Sequence, residues 1–208
     1  MTIHVDFYFD FSSSYSYLAQ HRIRRLEEEA QPGGNIIEHL QFRWKPIALG
    51  AIFKARGHAP PEADSIKGRY IWRDIERTAA EMKLPFHWPR PFPFSSIGAA
   101  RIFYALESLQ GAETAEQWAQ SVFHASFGEG KNVSDPEVLQ QLAEANGHDA
   151  DKLASLSQQS ENKDRLRQVT DEAAGRGVFG APTFSVEGEL YWGADRIDAM
   201  LRHLANTA

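Results

Sequence analysis

The chain opens on an alternation. Ile3, Val5, Phe7, Phe9 and Phe11 are apolar, and His4, Asp6, Tyr8 and Asp10 stand between them. A period of two over nine residues predicts a β-strand, with Tyr8 as a bulky ring on the otherwise polar side. A serine step, Ser12-Ser13-Ser14, follows. From Tyr17 the period lengthens: Leu18, His21, Ile23, Arg24, Leu26 and the acidic Glu27–Glu29 predict a helix ended by Gly33-Gly34. Ile36, Ile37, Leu40, Phe42 and Trp44 predict a second strand region, stopped by Pro46.

From about residue 48 to 165 the pattern is helical. Ile71, Trp72, Ile75 and Ala79 recur at three- and four-residue steps within Ile66 to Met82. The stretch Phe86-His-Trp-Pro-Arg-Pro-Phe-Pro-Phe94 interrupts it, because its prolines remove donors and bias their neighbours to extended forms. Helices are expected again near 97–110, 115–127 and 135–146. The last has Ser134 as N-cap, Pro136 in the first turn, Glu137 closing a capping box and Gly147 beyond the end. Two more are expected at 149–157 and 161–175. The tail changes character: a loop Gly177–Pro182, a strand Thr183–Val186, a tight turn Glu187-Gly188, a strand Leu190–Trp192, then a helix opened by Gly193-Ala-Asp195. Its apolar face is Ile197, Met200, Leu201 and Leu204.

The order is therefore β-α-β, a helical block, then α-β-β-α. Without the block, a thioredoxin-like unit remains. The expected class is α/β: a thioredoxin-like fold split by a large all-helical insertion, with residues 1–47 plus 162–208 as the thioredoxin-like domain and 48–161 as the insertion.

Composition narrows the function. The chain has 208 residues, 42% of them hydrophobic, with 13 Phe and 5 Trp, enough for an ordinary core. Its 22 basic and 28 acidic residues give a net charge of −6, which argues against a nucleic-acid surface. The basic group Arg22, Arg24 and Arg25 reads as a solvated helix face. No apolar run approaches the ~18 residues of a membrane span. Met1-Thr-Ile-His-Val-Asp runs straight into the expected strand, so no leader is expected. Cysteine is absent, which excludes disulfides, thiolate metal sites and cysteine nucleophiles. The His residues form no close zinc-type pair, so no metal site is expected. A cytoplasmic, metal-free protein is the expectation.

In thioredoxin-fold redox proteins a Cys-x-x-Cys motif follows the first strand at a helix start, where free N–H groups and the helix dipole favour a thiolate. Here Ser13-Ser14-Tyr15-Ser16 holds that place. Serine keeps the hydrogen-bonding geometry and abolishes disulfide exchange; as a plain helix N-cap it would also serve. Phe179-Gly-Ala181-Pro182-Thr183 puts a proline at a strand start, where thioredoxin-like proteins use a cis-proline that leaves the preceding backbone free to pair with a bound peptide. In Trp192-Gly-Ala-Asp195-Arg196, Asp195 suits a helix cap or the amino group of a small peptide. No His–Asp pair is in view to deprotonate Ser13, so it is not expected to be a nucleophile.

Asp6-Phe-Tyr-Phe-Asp-Phe-Ser-Ser-Ser-Tyr-Ser-Tyr-Leu-Ala19, Gly177-Val-Phe-Gly-Ala-Pro-Thr-Phe and Tyr-Trp-Gly-Ala-Asp-Arg196 together resemble the 2-hydroxychromene-2-carboxylate isomerases, relatives of kappa-class glutathione transferases and DsbA-like oxidoreductases. Lys45-Pro46, Gly57-His-Ala-Pro-Pro61, Lys67-Gly68 and Leu84-Pro-Phe-His-Trp-Pro89 extend the resemblance over essentially the whole chain. It implies a glutathione-dependent isomerase acting on a small aromatic acid, with a homodimeric assembly. Ser13 matches the serine that hydrogen-bonds the glutathione sulfur, and Ala181, before Pro182, the residue whose backbone pairs with the cysteinyl unit. Ala194 and Asp195 match the positions that hold the γ-glutamyl end, and Lys67 a lysine near the glycyl carboxylate. His58 stands where kappa relatives have Asn. Ser12 and Ser14 replace the Leu and Pro familiar beside the serine; Ser13 is preferred because Tyr15–Ala19 then aligns without a gap. A kappa-like transferase and a non-catalytic glutathione-binding protein are the competing readings.

Overall fold

β1 (Ile3–Phe9) is the strand around which the rest assembles in the computed structural model, which describes residues 2–30, 36–59, 62 and 64–207. It pairs in parallel with β2 (Leu40–Pro46) on one side and antiparallel with β3 (Thr183–Val186) on the other. β4 (Glu189–Trp192) completes a four-stranded sheet of order β2-β1-β3-β4. The architecture is the expected split thioredoxin-like one: strands from the two ends of the chain meet in one sheet, and a helical block lies between them in sequence.

The period-two pattern of β1 would suit a strand with one wet face, yet Val5 to Phe9 are all buried. On the apolar face, Phe7 stacks on Phe184 at 5.2 Å and meets Trp44 edge-on, while Phe9 touches Phe11, Phe103 and Phe123. The opposite face buries Asp6, whose carboxylate accepts from Arg43 Nε at 2.7 Å, Lys45 Nζ at 3.1 Å and Arg176 at 3.3 Å. Those cations offset the desolvation cost of a buried carboxylate. They also bind β1 to β2 and to the end of α8 (Ser160–Gly175).

Several expectations need correction. Ile36–His39 form a 3₁₀ turn, because the β1–β2 register begins at Ile3↔Leu40 and leaves them without a strand to pair with. Pro46 is the last paired residue of β2 and sits opposite Phe9, so it ends the strand from within. The expected helix stop at Gly33-Gly34 lies outside the described residues.

The helices follow as α1 (Ser14–Glu29), α2 (Leu49–Ala55), α3 (Ile66–Glu81), α4 (Ile97–Gln110), α5 (Ala112–Phe123), α6 (Pro136–Ala145), α7 (Ala150–Gln158), α8 and α9 (Ile197–Thr207). α4 is the axis of the helical block, with Ala99, Ala100 and Ile102 to Leu106 all buried; Trp118 of α5 donates its indole N–H to the Ala99 carbonyl at 3.0 Å. α5 begins before the expected segment and changes at His124 into one π-helical turn, His124–Gly128. The cap of α6 is Asp135 and not Ser134: Asp135 accepts from the Glu137 N–H at 3.0 Å, while Ser134 hydrogen-bonds Asn132. No helix among the described residues is long and apolar enough to cross a membrane.

Candidate active site

A turn built by Asp10 sets the start of α1. One oxygen of its buried carboxylate accepts from the Ser12 N–H at 2.8 Å and the Ser12 hydroxyl at 2.7 Å. The other accepts from the Leu49 N–H at 2.8 Å, which ties the turn to α2. The Asp10 carbonyl takes the Ser13 N–H at 2.9 Å. Ser13 is thereby held in an extended conformation (φ −91°, ψ 110°) as the N-cap of α1, its Oγ accepting from the Ser16 N–H at 3.1 Å.

The same Oγ donates to the carbonyl of Ala181 at 3.0 Å, across 168 residues of sequence. The Ala181–Pro182 peptide is cis. The loop around it is fixed by the Thr183 hydroxyl on the Gly180 carbonyl at 2.7 Å and by the Gly193 N–H on the Pro182 carbonyl at 3.0 Å. Of the three serines, Ser13 is the one whose hydroxyl faces this loop; Ser12 is committed to Asp10 and Ser14 is buried. The first turn of α1 holds no acidic side chain, so the helix dipole favours an anion at Ser13, and the carboxylate of Asp10 in the preceding turn is turned to the Ser12 and Leu49 N–H groups.

Glycines keep this corner open. A Cβ on Gly180 would collide with the indole nitrogen of Trp192, so the ring lies directly on the glycine backbone, with Phe179 4.8 Å away from it. Gly193 has φ +121°, and a Cβ there would meet the Asp195 carboxylate. Ala194 and Asp195 lie in a 3₁₀ turn before α9; the Asp195 side chain is exposed and pairs with Arg196 at 2.7 Å, so it is no side-chain cap of α9.

Tyr15 and Tyr17 lash this corner to the helical block. The Tyr15 hydroxyl donates to Asp74 of α3 at 2.8 Å, and the Tyr17 hydroxyl to the Pro85 carbonyl at 2.6 Å. Burial, the Asp74 bond and the nearby charges of Asp74, Tyr70 and Asp195 all push the Tyr15 phenol well above its usual range; burial lifts Tyr17 to about 12. Both remain neutral donors. Beyond them lies a cleft of about 450 Å³ lined by Trp72, Phe86, His87, Trp88, Arg90 and Phe92.

His58 and Lys67 are exposed, the first just after α2 and the second in the opening turn of α3. Among the described residues neither side chain is hydrogen-bonded to Ser13 or the cis-proline loop. Ser13, Ala181 and Pro182 are thus brought together, and Ala194 and Asp195 stand at the next turn. Asp10 and the two tyrosines join the site through contacts beyond the sequence motifs. Asp10-Phe-Ser12 is the signature of an Asx turn and could have flagged the first; nothing in the sequence pairs Tyr15 with Asp74.

A family model described as a DSBA-like thioredoxin domain matches residues 4–205. A 2-hydroxychromene-2-carboxylate isomerase of Sphingobium xenophagum is 32% identical over 206 residues, covering 98% of this chain and 99% of that protein. Glutathione S-transferase kappa 2 of Caenorhabditis elegans is 28% identical over 214 residues, 97% of this chain and 91% of the relative. A solved 2-hydroxychromene-2-carboxylate isomerase superposes with a TM-score of 0.84 at 26% identity, covering 99% and 96% of the two chains.

Proposed function

The chain belongs to the DsbA-like thioredoxin-domain family, among the 2-hydroxychromene-2-carboxylate isomerases, and from that premise we propose that it is a glutathione-dependent isomerase interconverting 2-hydroxychromene-2-carboxylate and trans-o-hydroxybenzylidenepyruvate. The observation that carries the reading is the Ser13 hydroxyl, held at a helix N-terminus 3.0 Å from the carbonyl before cis-Pro182.

The residues present fit glutathione. The Ala181 backbone offers an extended edge to the cysteinyl unit, Asp195 an exposed carboxylate to the γ-glutamyl ammonium, and Lys67 an exposed cation to the glycyl carboxylate. When bound, glutathione supplies a thiolate that adds reversibly to the conjugated carbon of the substrate and makes its double bond rotatable. Ser13 donates its hydroxyl to the sulfur and holds it as the anion, with the α1 dipole behind it. That exchange frees the Ala181 carbonyl to accept the cysteinyl N–H. Ser13 is a donor here and not a nucleophile. A cytoplasmic setting, where thiols stay reduced, and a homodimeric assembly complete the reading.

The kappa transferase similarity supports a second reading, in which the thioether is the product and the thiol is not expelled. A spectrophotometric assay of 2-hydroxychromene-2-carboxylate conversion, with and without glutathione, separates the two. Turnover with no net consumption of glutathione supports the isomerase. Stoichiometric loss of thiol supports the transferase, and glutathione binding without either leaves a binding protein.

A further inference from the structure

The aromatic cleft beside α3 has a definite shape and a definite charge. Trp72 and Trp88 stack at 4.1 Å with their planes 17° apart and form one wall. Phe86 stands at 89° to Trp88, and Phe92 at 83° to Trp72. These rings pack on one another into a continuous aromatic wall, and the open space against that wall, the slot, lets a flat ligand meet ring faces and edges together. Its volume of about 450 Å³ falls within the roughly 300–1,000 Å³ of small-molecule sites.

The slot is anchored on both sides. The His87 N–H donates to the Phe127 carbonyl in the π-helical turn at 2.6 Å, and the Trp88 indole N–H to Glu76 of α3 at 3.3 Å. The Tyr17 bond to Pro85 ties the same loop to α1, one turn, or about 6 Å along the helix axis, from Ser13. Glu76 is also paired with Arg73 at 3.2 Å, so its charge is already met. Arg90, which lines the slot and is exposed, forms no ion pair or hydrogen bond among the described residues. The proline after it narrows its backbone freedom, which lowers the cost of fixing it on a ligand.

We propose that this slot takes the flat ring of an aromatic carboxylate, and that Arg90 is the specificity-determining residue that meets the carboxylate through its planar fork. The inference rests on the isomerase reading for the identity of the natural acid, but the site itself does not need turnover to be observed. A cationic rim disfavours amines, and the apolar walls disfavour small hydrophilic anions.

The test is a calorimetric titration of the full-length protein, without glutathione, using trans-2-hydroxycinnamate and its neutral methyl ester. The wild type is expected to bind the acid about tenfold more tightly than the ester, as a partly solvated charge-assisted contact gives. Arg90→Gln should abolish the preference and leave ester affinity unchanged; Arg90→Lys should restore part of it. Equal affinities in the wild type, failure of both ligands to bind, or an acid preference that survives Arg90→Gln would each overturn the proposal. In the isomerase assay, Arg90→Gln should raise KM about tenfold with kcat within about twofold. Acid-selective binding lost in Arg90→Gln, in a protein with no turnover, would sink the isomerase reading and leave this site standing. Glutathione-dependent turnover with an unchanged KM in the variant would do the reverse.

Discussion

Replacing Ser13 by alanine deletes one hydroxyl that both accepts from the Ser16 N–H and donates to the Ala181 carbonyl, and the two losses can be separated. A free thiol with a pKa near 8.5 is only about 3% ionised at pH 7. Bringing it to about 6.5 requires roughly 2.7 kcal/mol in favour of the anion. A hydrogen bond to a charged acceptor supplies about 1.5–3 kcal/mol, and the α1 N-terminus a further ~0.3–1 kcal/mol. The alanine variant keeps the dipole and loses the bond, so its thiol pKa returns to about 8 and its turnover at pH 7 should fall roughly 5- to 15-fold. The sign follows from the same terms. The donor lowers the thiol pKa, so the wild-type rate levels off above about pH 6.5, whereas the variant keeps rising past about pH 8 and its deficit nearly disappears by pH 9. The cap loss costs about 1 kcal/mol of stability for alanine but only a few tenths for glycine. Ser13→Gly should therefore match Ser13→Ala in activity while melting near the wild type. Rates measured from pH 6 to 9.5 at saturating glutathione decide the matter. A wild-type-to-variant ratio that does not change with pH, or a glycine variant with normal activity, refutes the reasoning.

Gly180→Ala should drive the Trp192 indole off the backbone before the cis-proline, costing about 1–3 kcal/mol. A shifted tryptophan emission and a several-fold weaker glutathione affinity are expected, and unchanged values for both would refute the packing argument. His21 is held neutral, its pKa lowered to about 4 chiefly by burial and then by Arg24 and His124. The unfolded chain binds the proton first, so this contribution is complete above about pH 6.5 and is lost as pH falls toward 4. His21→Leu should flatten the fall of Tm across that window. Glu116 is pushed up to about 7 by burial, then by Glu27, Glu113 and Glu107. Here the folded state binds the proton first, so stability declines as pH rises from about 4.5 through 7. Glu116→Gln should stabilise the protein by about 1–2 kcal/mol at pH 8 and little at pH 5, as read from urea midpoints.

The helical block was legible where apolar positions recur at helical steps: α3 spans Ile66–Glu81 against the expected Ile66 to Met82. Legibility failed where tertiary partners decide. The polar residues of β1 looked solvent-facing, because the cations that neutralise Asp6 come from positions 43, 45 and 176. The π-helical turn at His124–Gly128 has no sequence period of its own; what fixes it is Phe127 packing against Tyr17, Phe86 and Phe94 while its carbonyl takes the His87 N–H. Asp135 displaced Ser134 as a cap because both residue types cap well and Asn132 captures the serine. At the site, Ser13 and Pro182 were readable because their chemistry is local to a helix start and a strand start. Their mutual contact was visible only through the resemblance.

The bond between Ser13 and Ala181 also dates the birth of the site. A ribosome adding about 5–20 residues per second takes roughly 10–30 s to make the 168 residues that separate them. Throughout that interval the aromatic strand β1 can pair with β2 on one side only, since Ser185, the partner of Asp6, has yet to be made. A nascent or truncated chain ending before residue 181 carries the serine and the whole helical block but lacks the carbonyl that Ser13 meets. It also leaves the open edge of a Phe-rich strand, the kind of edge that recruits other chains. The contact at Ser13 and the cover for the open edge of β1 therefore arrive together, once residues 181–186 have been made.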